Sequence, residues 1–124
     1  MLFSETNLLK IAKQFHNNKL PTTLPARASK MANRIQIVDD IVTGLRAVLS
    51  PTGGVALQAQ YQVGKEFRQV KLGSLNRKDY ITIENARAAT KIIRALGELQ
   101  IDILDHKDLL IELLDPSIRR TSRP

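Results

Sequence analysis

Four glutamines, Gln58, Gln60, Gln62 and Gln69, fall at alternate positions in two neighbouring runs, "VALQAQYQV" and "EFRQVKLG". A carboxamide donates and accepts at once, so it can pair two-pronged with any edge that sets a donor beside an acceptor. The adenine edge in the major groove of DNA is such an edge. In strand geometry the same alternation puts Arg46, Val48, Phe67 and Lys71 on the glutamine face. That face combines amides, an apolar contact and cations. Lys65 in the "VGKE" turn, with Arg77 and Lys78 in "SLNRKDY", carries charge suited to flanking phosphates. Arg68, at the less buried end of its strand, completes the basic candidates.

Other chemistries find little to work with. The chain has no cysteine, which removes disulfides, thiolate metal sites and thiol nucleophiles together and fits a reducing, cytoplasmic setting. Its two histidines, His16 and His106, sit on separate peripheral segments without a partner at metal-ligand spacing. "PTGG" lacks the Lys-Ser/Thr that follows a phosphate-cradling loop, so these glycines are turn residues. Asp39 and Asp40 are adjacent, where alternation points them apart, and general acid–base work needs convergent groups. Tyr61 alternates inward. The expectation is a protein that is not an enzyme, with no cofactor and no metal.

The elements that must position the glutamines can be read from periodicity. "GLRAVLS" turns Leu45, Ala47 and Leu49 to one face, and "SPTGG" is a turn in which proline presets φ and glycine supplies positive φ. Val55, Leu57, Ala59, Tyr61 and Val63 then face inward at period two; after "VGKE", Val70 and Leu72 do the same. Two successive hairpins give a three-stranded antiparallel sheet. Its apolar face requires a cover. The segment "YITIENARAATKIIRALGEL" supplies one, with Thr82 as N-cap and Ile83, Ala86, Ala89, Thr90, Ile93 and Leu96 on one helical stripe, ended or bent by Gly97. Its other face carries Arg87, Lys91 and Arg94.

Upstream, Leu8, Ile11, Ala12 and Phe15 share one face of a helix capped by Ser4. The proline-containing "NNKLPTTLPARASKMANR" reads as a basic linker or arm. "RIQIVDD" is a short β-prone run. Downstream, "DHKDLLIELL" reads as an acidic amphipathic helix over 105–114, stopped by Asp115-Pro116 and followed by a basic, mobile tail. The fold class is therefore α+β: a three-stranded antiparallel sheet on one C-terminal helix, with an N-terminal helix and arm and an acidic C-terminal helix. Residues 1–33, 34–97 and 98–124 form the corresponding regions.

Net charge over the 124 residues is +7, unevenly spread. Residues 41–80 hold six basic and two acidic side chains, whereas residues 98–115 hold one and six. A basic face attracts phosphate polyanions through counterion release. No run approaches the roughly 18 apolar residues that suggest a spanning helix, so a membrane partner is not expected.

"DDIVTGLRAVLSPTGGVALQAQYQVGKEFRQVKLGSLNRKDYITIENARAAT" resembles the N-terminal arm-type DNA-binding domain of phage and integrative-element tyrosine recombinases. Asp40 precedes the Gly44-Leu45-Arg46 strand; Ser50-Pro51-Thr52-Gly53, Tyr61, Gly64-Lys65, Leu72-Gly73 and Ala86-Arg87 follow in the family's order. The likeness covers about residues 35–97. It implies double-stranded DNA as partner, met by a sheet laid in the major groove, with Arg46, Gln58, Gln60, Gln62, Gln69 and Lys71 as the groove face. Gln60 and Gln62 stand where family members commonly carry arginines, and nothing here supplies the family's catalytic Arg, His-x-x-Arg and Tyr set, since Lys107-Asp108-Leu109 follows His106. Two alternatives stay open. Helix, three strands and helix is also the order of double-stranded RNA-binding domains, and residues 105–114 could serve a homodimer or a protein partner.

Overall fold

A computed structural model describes residues 3–17, 28–31 and 33–114, with the side chains of Lys30 and Met31 left aside. In chain order the elements are α1 (Glu5–His16), β1 (Ala28–Met31), β2 (Arg34–Val38), β3 (Leu45–Leu49), β4 (Val55–Val63), β5 (Glu66–Ser74), α2 (Ile83–Glu98), a 3-10 turn (Ile103–Asp105) and α3 (Lys107–Leu114). Most of the basic arm, and the tail from Asp115 with its Asp-Pro stop, lie outside the described residues.

The α+β class holds, but the sheet has five strands and not three, in the antiparallel order β1-β2-β3-β4-β5. The reason is visible in "RIQIV": Ile35 and Ile37 alternate inward, which lets β2 zip onto β3 with Ile35 opposite Leu49 and Ile37 opposite Ala47. The free edge of β2 then recruits Ala28–Met31. Those residues carry no strand pattern of their own; their conformation comes from a partner outside the segment.

Alternation delivers the core. Ile35, Ile37, Leu45, Ala47, Leu49, Val55, Leu57, Ala59 and Tyr61 are fully buried on the inner face, with Val70 and Leu72 nearly so. Two helices seal this face. α2 contributes Ile83, Ala86, Ala89 and Ile93, and α1 adds Leu8 and Ala12 to the same cluster, so the N-terminal helix belongs to the core of the sheet. Both N-caps are formed as the sequence suggests: Ser4 Oγ accepts from Asn7 N at 3.2 Å and Thr82 Oγ1 from Asn85 N at 3.1 Å. A β-bulge at Leu57/Gln58 leaves Leu72 as the extra residue of β5.

Two glycines permit close approach. Gly44 takes φ +94, and a side chain there would meet the Gln60 carbonyl at 2.6 Å. Gly97 does not end α2. It lies inside the helix against β4, where a Cβ would sit 2.5 Å from the Gln62 carbonyl oxygen. The helix closes at Gln100 (φ 67), beyond which Ile101 N donates to Leu96 O at 2.9 Å.

The acidic helix is shorter than its sequence suggests, starting at Lys107 after the 3-10 turn. It packs on α2 and that turn, with Leu110, Leu113 and Leu114 partly covered and Ile111 64% exposed.

Gly97→Ala tests the close approach by its sign. At an open helix position the change would stabilise by about 1 kcal/mol; against the Gln62 carbonyl it is expected to destabilise by about 1–3 kcal/mol, read as a lower urea midpoint.

Candidate nucleic-acid interface

Strand register assembles the outer face. Val38 lies opposite Arg46, Arg46 opposite Gln58, and Gln58 opposite Lys71. Along the β4–β5 hairpin, Gln60 faces Gln69 and Gln62 faces Phe67. Every residue of these rows keeps solvent access, and both long helices bury their apolar stripes in the core on the opposite face. Six of the ten sequence-derived candidates thus share one surface: Arg46, Gln58, Gln60, Gln62, Gln69 and Lys71. β2 extends it with Arg34 and Gln36, which sequence reasoning missed although the inward Ile35 and Ile37 already imply their direction.

The amides are not equivalent. Gln62 Nε2 donates to the Gly64 carbonyl at 3.0 Å, and Gln36 Oε1 accepts from Arg46 Nη1 at 3.0 Å. Among the described residues Gln58, Gln60 and Gln69 have no such side-chain bond, and their donor and acceptor are both open to a ligand. Phe67, beside them, is 70% exposed.

Cations frame the amides. Lys65 sits in the exposed β4–β5 turn, and Lys78 in the exposed loop after β5. Arg77, in the same loop, is positioned by donation to the Thr52 carbonyl at 3.3 Å and the Asn76 carbonyl at 3.2 Å. Asn76 ties this loop to the β3–β4 turn by accepting from Val55 N at 3.0 Å and donating to the Gly53 carbonyl at 2.7 Å. Arg34, Lys71 and Arg77 with Ser50 and Thr52 rim an open hollow of about 310 Å³ at this end of the face. Lys71 Nζ is 3.1 Å from Asp79 Oδ2, an exposed pair of little energy that a phosphate can displace. Burial lowers the pKa of Arg46, but a guanidinium remains charged.

Arg68 does not join this surface. Its register partner is Tyr61, so it stands on the helix side, where Nε reaches Asp102 Oδ2 at 2.9 Å and Nη2 reaches Glu66. No local pattern marks Asp102 as its partner, because the contact joins β5 to the chain beyond α2. Tyr61 also serves Asp102: its hydroxyl donates to Oδ1 at 2.5 Å, and burial together with that carboxylate pushes the phenol pKa well above its ordinary range. Burial raises the Asp102 pKa, but the Tyr61 hydroxyl, Leu104 N–H and Arg68 outweigh it and hold the carboxylate below its ordinary value.

The basic face expected on α2 is likewise partly committed. Arg87 donates from Nε and Nη2 to the two oxygens of Asp39, at 2.8 and 3.0 Å, and from Nη2 to the Phe3 carbonyl at 3.3 Å. The Asp39 carboxylate also accepts from Ile41 N and Val42 N. Burial works against its ionisation, yet Arg87 and these N–H groups lower its pKa overall. Asp39 is therefore a structural anion. Arg94 Nη1 donates to the Gln60 carbonyl at 3.0 Å.

Among the described residues no group of three acidic, histidine or cysteine side chains could hold a metal ion, and no helix is long and apolar enough to cross a membrane. Compared with protein-family models, with curated proteins and with solved structures, the chain has no match.

The two buried carboxylates set an acid dependence. Their pKa values lie below the ordinary 3.8, so their contribution is complete above about pH 4 and is lost as pH falls through the folded values. Arg87→Ala, which leaves Asp39 buried and unpaired, is expected to cost about 3–5 kcal/mol at pH 7 in urea unfolding. Asp39→Asn is expected to flatten the acid limb of stability against pH.

Proposed function

We propose that this chain is a non-catalytic, sequence-selective double-stranded DNA-binding module of the kind its likeness to recombinase arm-type domains implies, acting in the cytoplasm in the service of a mobile element. The observation that carries the proposal is the Gln60–Gln69 cross-strand pair, uncovered, with free amides and cations on either side. Neutral readers along the hairpin with cations beside and beyond them match the way duplex DNA presents itself, base edges in the groove and phosphates along the walls.

Width decides how the sheet would enter. At about 4.8 Å per strand spacing, five strands span roughly 19 Å between the outermost axes, wider than a major groove of about 12 Å. A two-stranded ribbon fits. The glutamines with open amides lie on β4 and β5, so this hairpin is the part that enters, and β2–β3 overlies one phosphate wall with Arg34 and Arg46. Arg77 and Lys78 at one end of β5 and Lys65 at the other reach toward backbone phosphates. Gln62, held by its own turn, orients the hairpin tip more than it reads.

Titration of duplex DNA by fluorescence anisotropy at a series of salt concentrations tests the proposal. Affinity should fall steeply with salt; Lys71→Ala should reduce the log–log slope by roughly one, and Gln60→Ala should weaken a preferred duplex by about fivefold or more at unchanged slope. Tighter binding to double-stranded RNA, or no binding at low salt by a chain that dimerises, would overturn it.

A further inference from the structure

We infer that the duplex this face selects is rich in A·T pairs, read by Gln60 and Gln69 at adenine and by Phe67 at thymine; the inference rests on the DNA-binding reading and gives its preferred base composition. Each base edge in the major groove has its own requirement. Adenine N6 and N7 call for a carboxamide, guanine O6 and N7 call for Arg or Lys, and thymine alone presents a methyl group. Gln58, Gln60 and Gln69 have open amides. Phe67 holds a largely exposed ring directly across the hairpin from Gln62.

Two of the three cations suited to guanine are committed within the fold. Arg46 is half-buried and holds Gln36 at 3.0 Å, which turns its fork along the sheet. Lys71, across the hairpin from Gln58, has the weak exposed pair with Asp79 at 3.1 Å and serves a phosphate in this reading. Arg68 is on the opposite face.

Spacing supports the same set. Successive side chains on one face of a strand are about 6.6–6.8 Å apart. That is about two steps of the 3.4 Å rise along a DNA strand. The Gln60–Gln69 pair and the neighbouring Phe67 therefore address positions about two base pairs apart, and Gln58 a third position two further on.

The test compares alternating d(AT) and d(GC) duplexes of equal length at one salt concentration, so that the phosphate contribution is shared. The wild-type chain should favour d(AT) by about tenfold or more. Replacing thymine by deoxyuridine removes only the methyl group; it should weaken wild type several-fold and leave Phe67→Ala unmoved. Replacing adenine by 7-deazaadenine removes N7; it should weaken wild type and have little effect on the Gln60→Ala/Gln69→Ala double variant. All three side chains are solvent-accessible, and circular-dichroism melting confirms that the variants fold. Equal affinity for the two duplexes at a steep salt slope would overturn this inference and leave the DNA-binding reading standing. A d(AT) preference that survives both base modifications would overturn it too, since it would arise from groove width or deformability. Failure to bind either duplex at low salt would sink both.

Discussion

The carboxylate of Asp39, fully buried, holds three distant parts of the chain in one place. It ends β2, organises the next turn through Ile41 and Val42, and takes both prongs of Arg87 from α2, which in turn reaches the Phe3 carbonyl ahead of α1. A buried charge without its partner is costly, so helix, sheet and N-terminal segment can dock in only one arrangement without leaving an ion stranded. Asp102 does the same at the far end of α2, binding Tyr61, Arg68 and Leu104 N. Two carboxylates thus pin the covering helix at both ends to one face of the sheet. The other face is left to solvent.

This arrangement also sorts the cations. Arg68, Arg87 and Arg94 are committed to carboxylates or a carbonyl within the fold. On the outer face Arg46 and Lys71 flank Gln58, Lys65, Arg77 and Lys78 stand at its ends, and the Gln60–Gln69 pair lies between. In the proposed reading, base discrimination and phosphate attraction fall to different residues, which lets each be changed separately.

Much of this was legible in the residues. Period-two alternation is a local signal, and it located β3, β4, β5 and the glutamine row; Thr82 and the 83–96 stripe located α2 and the face it covers. What escaped was non-local. β1 exists because β2 offers an edge, and no pattern within "ASKM" announces it. Arg68 reads as a DNA contact and Arg87 as part of a basic helix face because their partners, Asp102 and Asp39, lie far along the chain and only the folded topology joins them. Gly97 suggested a helix end, whereas its role is set by the Gln62 carbonyl across the interface. Arg34 and Gln36 stand apart from these: the alternation of Ile35 and Ile37 was sufficient to place them on the outer face.

Nitrogen-15 NMR of the glutamine side-chain amides during titration with duplex DNA tests the account at its centre. The carboxamide resonances of Gln58, Gln60 and Gln69 should shift or broaden at substoichiometric duplex, while backbone amides of α2 and α3 stay in place. Perturbation concentrated on α2 or α3, with those three carboxamides unmoved, would contradict it.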